Sequence, residues 1–170
     1  VLPALLRRLG ISRPWLFGHS DGGSIALLHA GRFEVAGVVA VAPHIFVEDV
    51  SITSIERARL AYETGDLRGR LARHHADPDS VFYGWNDVWL DPAFRNWNIE
   101  AELGGVNCPV LAVQGEDDEY GTLAQVVGIS QRLPQTRLLV IPQCGHSPHR
   151  DRPDLLVREA GRFIVDPSGA

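Results

Sequence analysis

The sequence contains neither methionine nor lysine, and it has only two cysteines in 170 residues. All sixteen of its basic residues are therefore arginine. Two cysteines do not suggest a disulfide-stabilised scaffold, so we expect Cys108 and Cys144 to be buried free thiols beside predicted strands. The lack of methionine gives the expectation that the chain is a fragment, a processed product or the product of a non-standard start codon.

Long apolar runs and an excess of positive charge are missing as well. No apolar run approaches the length that spans a bilayer, and no signal peptide is visible, so we expect no membrane partner and a cytoplasmic location. The formal net charge of −5 argues against nucleic acid as a partner. Cys144 and His146 form one Cys-x-His pair, which offers too few ligands for zinc, so we expect no metal.

The most informative segment is residues 15–27, where an apolar run is followed by a polar turn and then by an apolar helical pattern. The turn reads Gly18-His19-Ser20-Asp21-Gly22, which places Ser20 at the apex of a predicted strand–turn–helix. We expect glycine on both sides because such a sharp reversal brings the backbone too close for side chains at Gly18 and Gly22. The turn would present the Ser20 hydroxyl and the amides of the following helix to a ligand. An ordinary glycine-rich turn is the alternative.

Three further apolar runs, at residues 35–41, 109–114 and 136–141, are typical of parallel strands covered on both faces. Helical patterns separate the strands, which favours right-handed crossover connections. The sequence therefore predicts an α/β fold with a mostly parallel sheet of about four strands and flanking helices.

The segment 45–104 has a different character, because it is polar and contains three of the four tryptophans. We predict that it is a helical lid inserted into a core formed by residues 1–44 and 105–170. A set of packing helices with no gating role is the alternative. Since insertions after strand carboxyl ends lie at the functional edge of such sheets, Trp85 and Trp97 are candidate substrate contacts.

Three loops that follow predicted strands carry Ser20, an acidic cluster at residues 116–119, and His146. The carboxyl ends of parallel strands share one edge, so these groups can converge. A serine hydroxyl needs a base to accept its proton, and an imidazole base needs a carboxylate to fix its tautomer. The order serine, acid, histidine is the one expected for a serine on a strand-to-helix turn. His149 is a second candidate for the base.

Together these segments resemble the α/β-hydrolase fold family, and the resemblance extends over nearly the whole chain. It implies that Ser20 is the nucleophile and His146 the base. It also implies that Asp118 is the acid, because the family places the acid three residues after a glycine, with Asp117 as runner-up. The matching segments are Gly18-His19-Ser20-Asp21-Gly22, Gly115-Glu116-Asp117-Asp118 and Gly145-His146-Ser147-Pro148.

The resemblance implies roles for several neighbouring groups. The backbone N–H of Asp21 would stabilise the oxyanion, and His19 and His44 would lie beside the nucleophile and the substrate pocket. Glu119 is expected to be a solvated loop charge. The resemblance implies no cofactor or metal and a small-molecule substrate, and family members with this triad include esterases, carbon–carbon bond hydrolases and cofactor-free haloperoxidases.

Two functional hypotheses follow. The first is a serine hydrolase that acts on an ester or related small carbonyl substrate through a covalent acyl-enzyme. The second starts from the implied absence of the strands that precede the Ser20 strand in the family, which would leave one sheet edge open. In that case the chain is a truncated, non-catalytic fragment that keeps the triad residues and acts, if at all, through self-association, for example as a homodimer.

Overall fold

The computed structural model describes residues 1–168, which form helices, four strands and two short 3₁₀ turns. The elements in chain order are α1 (Leu2–Arg8), β1 (Trp15–His19), α2 (Asp21–Ala30), β2 (Gly37–Val41), α3 (Asp49–Thr64), α4 (Leu67–Leu71), α5 (Pro78–Leu90), the 3₁₀ turns Pro92–Asn96 and Glu100–Gly105, β3 (Val110–Gly115), α6 (Ala124–Arg132), β4 (Thr136–Ile141), α7 (Pro148–Asp151) and α8 (Pro153–Val165).

All four strands are parallel and lie in the order β1-β2-β3-β4. The register places Phe17 beside Val39, Val39 beside Leu111, and Leu111 beside Arg137. Since the strands are parallel, their carboxyl ends lie along one edge of the sheet. This arrangement confirms the predicted α/β fold with a parallel sheet of about four strands.

The core lies on both faces of the two central strands, in which every residue is buried. On one face, Val39 and Leu111 pack in a cluster with Phe163 of α8. Alternate residues such as Ala40 and Ala112 point to the other face. Burying each Val, Leu, Ile or Phe side chain contributes about 1.5–3 kcal/mol, which explains why these strands read as unbroken apolar runs.

The edge strands β1 and β4 are more exposed than the central pair. The side chain of Phe17 in β1 is 56% exposed, and that of Ile25 in α2 is 55% exposed. An edge strand carries backbone groups that face away from its neighbour, and these groups can pair with another chain. Self-association at the β1 edge stays a prediction.

The chain divides into two compact units. The first contains Val1–Ile45 and the chain from Ile99 onward, and it includes the whole sheet. The second, Phe46–Asn98, is helical. The role of the inserted segment as a lid stays a prediction.

An aromatic and ionic cluster links α3, α4 and α5 within the second unit. The ring of Tyr62 stacks on Phe82 with centroids 3.8 Å apart, and its hydroxyl donates to Asp79 at 2.5 Å. Arg68 donates to both Asp79 oxygens at 2.8 Å. Hydrogen bonds from Arg68 and then Tyr62 lower the pKa of Asp79 to about 2, so this carboxylate stays ionised at neutral pH.

None of the helices in residues 1–168 combines the length and the apolar character that a bilayer crossing requires.

Candidate active site

The carboxyl edge of the sheet brings together one side chain from each of three loops. Ser20 directly follows β1, Asp118 lies in the loop after β3, and His146 lies in the loop after β4. The Ser20 hydroxyl is 2.9 Å from Nε2 of His146. On the other side of the ring, Nδ1 of His146 is 2.9 Å from Oδ1 and 3.0 Å from Oδ2 of Asp118. The three residues selected from the sequence therefore form a continuous hydrogen-bonded chain.

Asp118 is held in a nearly dry environment, with its side chain only 1% exposed. A buried carboxylate requires donors, and here the backbone N–H groups of Tyr120 and Gly121 donate to Oδ1 at 2.8 and 3.3 Å. The side-chain amide of Gln114 donates to Oδ2 at 2.6 Å. Because these oxygens are acceptors, His146 presents Nδ1–H to Asp118 and leaves the Nε2 lone pair for the Ser20 hydroxyl.

Ser20 occupies a strained backbone conformation, with φ 55° and ψ −124°, immediately before α2. Such a conformation in a residue with a Cβ costs about 1–3 kcal/mol and persists only when neighbours enforce it. The Ser20 N–H donates to the Val41 carbonyl at 2.9 Å, and the Ser20 carbonyl accepts from Gly23 N–H at 2.8 Å. With the backbone fixed at both ends, the hydroxyl is directed at His146.

The two flanking glycines are not equivalent. A Cβ on Gly18 would collide with the Gly22 carbonyl, whereas a Cβ on Gly22 would have no heavy atom within 4 Å. The expectation that both positions exclude a side chain is therefore wrong for Gly22. The backbone of Gly22 occupies the space that a Cβ on Gly18 would need. Only Gly18 must therefore lack a side chain.

Backbone strain is concentrated at the carboxyl edge. Within residues 1–168, the non-glycine residues with positive φ are Ser20, Ala42 and Gln143, at 55°, 47° and 52°. Ala42 directly follows β2, and Gln143 lies just beyond β4. Strained conformations of this kind cluster at functional sites, which supports the assignment of this edge as the site.

The acid loop and the histidine loop are joined to each other. A Cβ on Gly115 would collide with the carbonyls of Cys144 and Gly145, so the loops could not meet if this position carried a side chain. The backbone N–H of His146 donates to a carboxylate oxygen of Glu119 at 3.1 Å. The side chain of Glu119 is exposed, as expected of a solvated loop charge, and it also holds the histidine loop through this hydrogen bond.

Three further histidines lie near His146. His19 is in hydrogen-bond contact with the His146 carbonyl through Nε2, at 2.7 Å, and the two rings are 5.0 Å apart. His44 is 3% exposed, with its ring 5.8 Å from that of His146. His149, the second candidate base, packs against His19 at 4.8 Å. It is His146 that reaches the Ser20 hydroxyl.

Tyr120 and Gln114 also contact the site, and the sequence analysis missed both. The Tyr120 ring lies 4.7 Å from that of His146, and burial, followed by Glu119 and Asp118, raises the pKa of its hydroxyl. Gln114 is detectable in retrospect as the one polar residue in the run 110–114. Nothing in the sequence marks Tyr120 beyond its nearness to Asp118.

The two candidate tryptophans lie in the helical unit, among aromatic neighbours. Trp85 contacts Phe82 edge-on at 5.8 Å, and Trp97 stacks on Phe94 at 5.2 Å. Their roles in substrate binding stay predictions.

Within residues 1–168, no group of three or more His, Cys, Asp or Glu side chains is arranged to hold a metal ion. Both cysteines are free and buried, as expected.

The surroundings of His19 predict a pH dependence of stability. Burial is the main cause that lowers the pKa of His19 below its ordinary value of 6.5, and burial has the same effect on His29. Below about pH 6.5 the unfolded chain then binds protons that the folded chain does not, so the free energy of unfolding falls as the pH falls. Urea unfolding between pH 7.5 and 5.5 measures this slope. The slope becomes shallower in His19→Gln, and an unchanged slope would contradict this assignment.

The parallel sheet, with the serine after β1 and the acid and histidine loops after β3 and β4, defines the α/β-hydrolase class of fold. The chain belongs to the alpha/beta hydrolase family, whose family model matches residues 1–159.

Two proteins are similar to this chain in sequence, and a third is similar to it in fold. The 2-succinyl-6-hydroxy-2,4-cyclohexadiene-1-carboxylate synthase of Serratia proteamaculans is 28% identical over 194 residues, and the match covers 98% of this chain and 73% of that protein. The pimeloyl-(acyl-carrier protein) methyl ester esterase of Nitrosomonas europaea is 35% identical over 60 residues, which is 35% of this chain and 24% of that protein. The crystal structure of proline iminopeptidase from Mycobacterium smegmatis superposes with a TM-score of 0.73 at 20% identity, covering 96% of this chain and 69% of that one.

The matched segments thus cover between about a quarter and three quarters of the length of these proteins. At 20% identity, the iminopeptidase likeness shows the fold alone.

Proposed function

We propose that this chain is a serine hydrolase that cleaves an ester or a related small carbonyl compound through a covalent acyl-enzyme. The observation that carries the proposal is the position of the His146 ring, with Nε2 on the Ser20 hydroxyl and Nδ1 on Asp118. A serine hydroxyl becomes a competent nucleophile when a positioned base accepts its proton.

In the first half-reaction, Ser20 Oγ attacks the carbonyl carbon of the substrate while its proton passes to Nε2 of His146. Asp118 stabilises the resulting imidazolium through the Nδ1–H bond and remains ionised. His146 then gives the proton to the leaving-group oxygen as the bond to the carbonyl carbon breaks, which leaves the acyl group on Ser20. In the second half-reaction, a water molecule attacks the acyl carbon, His146 accepts its proton, and that proton returns to Ser20 as the acid departs.

The negative charge that develops on the carbonyl oxygen needs a donor. The Asp21 amide is the proposed one, since Asp21 is the first residue of α2 and directly follows Ser20. The helix N-terminus adds a favourable partial positive charge at this point. Removal of one oxyanion-hole donor typically costs about 10²–10³ in kcat.

The substrate class is the part of the proposal that the fold does not decide, because one fold supports many chemistries. The two proteins named above that are similar in sequence are a synthase and a methyl ester esterase. The esterase favours an ester as the first compound to test. We place His19 and His44 among the residues that contact the substrate.

The test is the release of p-nitrophenol from p-nitrophenyl acetate, followed by stopped flow. An acyl-enzyme produces a burst of about one equivalent per active chain when its hydrolysis is slower than its formation. Ser20→Ala is expected to show no burst, because it lacks the atom that is acylated. Ser147→Ala changes another serine in the histidine loop and should keep the burst. A burst that survives in Ser20→Ala would overturn the proposal.

A further inference from the structure

We propose that Gln114 is a positioning residue that fixes the carboxylate of Asp118 against His146. The proposal rests on the proposed function, since it assigns Gln114 a role in the same hydrogen-bonded chain. Gln114 contacts neither the nucleophile nor the base in its described hydrogen bonds, so any effect on the reaction is transmitted through Asp118.

The side chain of Gln114 stands near the end of β3 and is almost completely buried, at 1% exposure. Its Nε2 makes two hydrogen bonds, one to Oδ2 of Asp118 at 2.6 Å and one to the carbonyl of Gly121 at 3.0 Å. The first bond holds the carboxylate, and the second holds the far end of the loop that carries it. A residue of the central strand β3 therefore holds the acid loop at two points.

The orientation of the amide follows from its partners. Both partners, Asp118 Oδ2 and the Gly121 carbonyl, are acceptors, and only the NH₂ end of Gln114 has two protons to donate. The other end, Oε1, is buried and has no hydrogen-bond partner among the described residues. A buried carbonyl oxygen without a partner is unfavourable. An apolar side chain at this position would avoid this penalty. The presence of an amide is therefore explained by its two N–H donors, which bind the Asp118 carboxylate and the Gly121 carbonyl.

Loss of Gln114 would leave Oδ2 of Asp118 with His146 alone as a donor in the described contacts, while Oδ1 would keep the N–H groups of Tyr120 and Gly121. The carboxylate would then be free to tilt about its remaining bonds. A small displacement of the Asp118 carboxylate moves Nε2 of His146 out of hydrogen-bond alignment with the Ser20 hydroxyl. Misplacement by about 1 Å can reduce rates by about 10²-fold.

The test compares Gln114→Met with wild type, because methionine is unbranched and of similar length but donates no hydrogen bond. The probe is an alkyl fluorophosphonate, whose covalent reaction with the nucleophilic serine is followed by intact mass. We expect the limiting inactivation rate to fall by about 10–100-fold, while the concentration that gives half the limiting rate changes by less than about threefold. Equal inactivation rates in a folded Gln114→Met variant would overturn the inference.

Gln135→Met is the matched control. Gln135 also donates through Nε2 to two carbonyl oxygens, those of Val106 and Cys108, at 2.9 and 3.4 Å. These residues precede β3, at the opposite end of the strand from the site. This control should react like wild type, and thermal denaturation of both variants shows whether the fold is kept. An equal rate loss in the control would overturn the positioning role.

Gln114→Glu covers the case in which the methionine variant does not fold, because glutamate has the same shape and places an acceptor against Oδ2 of Asp118. It should also react more slowly, and a wild-type rate would overturn the inference.

A second readout separates this inference from the proposed function. The proton between Nδ1 of His146 and Asp118 gives a downfield ¹H NMR signal, identified by its loss in His146→Ala. If the fluorophosphonate does not label the wild-type chain, the proposed function fails. The downfield NMR signal still tests the role of Gln114 in that case. A shifted or broadened signal in Gln114→Met supports the role, and an unchanged signal overturns it.

Discussion

Asp118→Asn lowers kcat for p-nitrophenyl ester hydrolysis by about 10⁴-fold and changes KM little, as expected for loss of the carboxylate that sets the tautomer of the base. The reason lies in the donors that already surround this position. Tyr120 and Gly121 present N–H groups to Oδ1, so the oxygen of an asparagine amide would take that place. Its NH₂ group would then take the place of Oδ2, where it faces both Nδ1 of His146 and the amide of Gln114.

An amide NH₂ that donates to Nδ1 of His146 forces the ring proton onto Nε2. Nε2 then faces the Ser20 hydroxyl as a donor and has no lone pair to accept its proton. The steady-state parameters of Asp118→Asn measure this loss directly. Asp117→Asn is the matched control, since Asp117 is exposed and its contact in the loop is a backbone N–H bond to the Cys144 carbonyl at 2.9 Å. A loss below tenfold in Asp118→Asn would contradict the assigned role of the acid.

The second large effect is expected at Gly18, where alanine would place a Cβ against the carbonyl of Gly22. Overpacking against backbone atoms costs about 1–3 kcal/mol and occasionally more. Here the obstructing atoms belong to the first turn of α2, so relief of the clash would also move Ser20. We expect Gly18→Ala to lose about 3 kcal/mol of unfolding free energy and most of its ester hydrolysis.

Gly22→Ala is the matched control on the other side of Ser20. Its Cβ meets no heavy atom within 4 Å, and the residue lies in the first turn of α2. Alanine is favoured over glycine in helices by about 0.5–1 kcal/mol, so this variant should be as stable as wild type or more stable. Urea unfolding curves of the two variants give the comparison, and equal destabilisation would contradict the account of this turn.

Much of the fold could be predicted because its signals are local. The bounds of β4 agree with the predicted residues 136–141, and α8, Pro153–Val165, has apolar residues at helical spacing. Their apolar residues recur with the period of one element type, and turn residues flank them. The approximate convergence of the Ser20, Asp118 and His146 loops could also be predicted, since it follows from parallel strands that end at a common edge.

Other elements carry too little periodicity to be recognised. Helix α7, Pro148–Asp151, has one turn and was not predicted. Helix α4 spans only Leu67–Leu71, and such a short polar segment has no apolar stripe that would mark its ends. Strand β2 begins at Gly37 rather than residue 35, in keeping with the weak boundary signal of a uniformly apolar run.

The details of the site that sequence reasoning missed are contacts between residues that meet only in the folded chain. Glu119 accepts a hydrogen bond from the backbone N–H of His146, which is 27 positions away, and no sequence pattern near Glu119 indicates this partner. The two hydrogen bonds donated by the side-chain amide of Gln114 depend on how the acid loop returns to β3 at Gly121. The difference between Gly18 and Gly22 likewise depends on the path of the backbone through the turn, which a motif with symmetric spacing does not specify.

The central claim is that His146 and Asp118 make Ser20 the nucleophile of this chain. The most direct measurement is treatment of the purified chain with an alkyl fluorophosphonate, followed by intact mass and peptide mapping of the adduct. We expect one adduct, located on Ser20, that is absent in Ser20→Ala. A folded chain that remains unlabelled, or an adduct on a different residue, would contradict it.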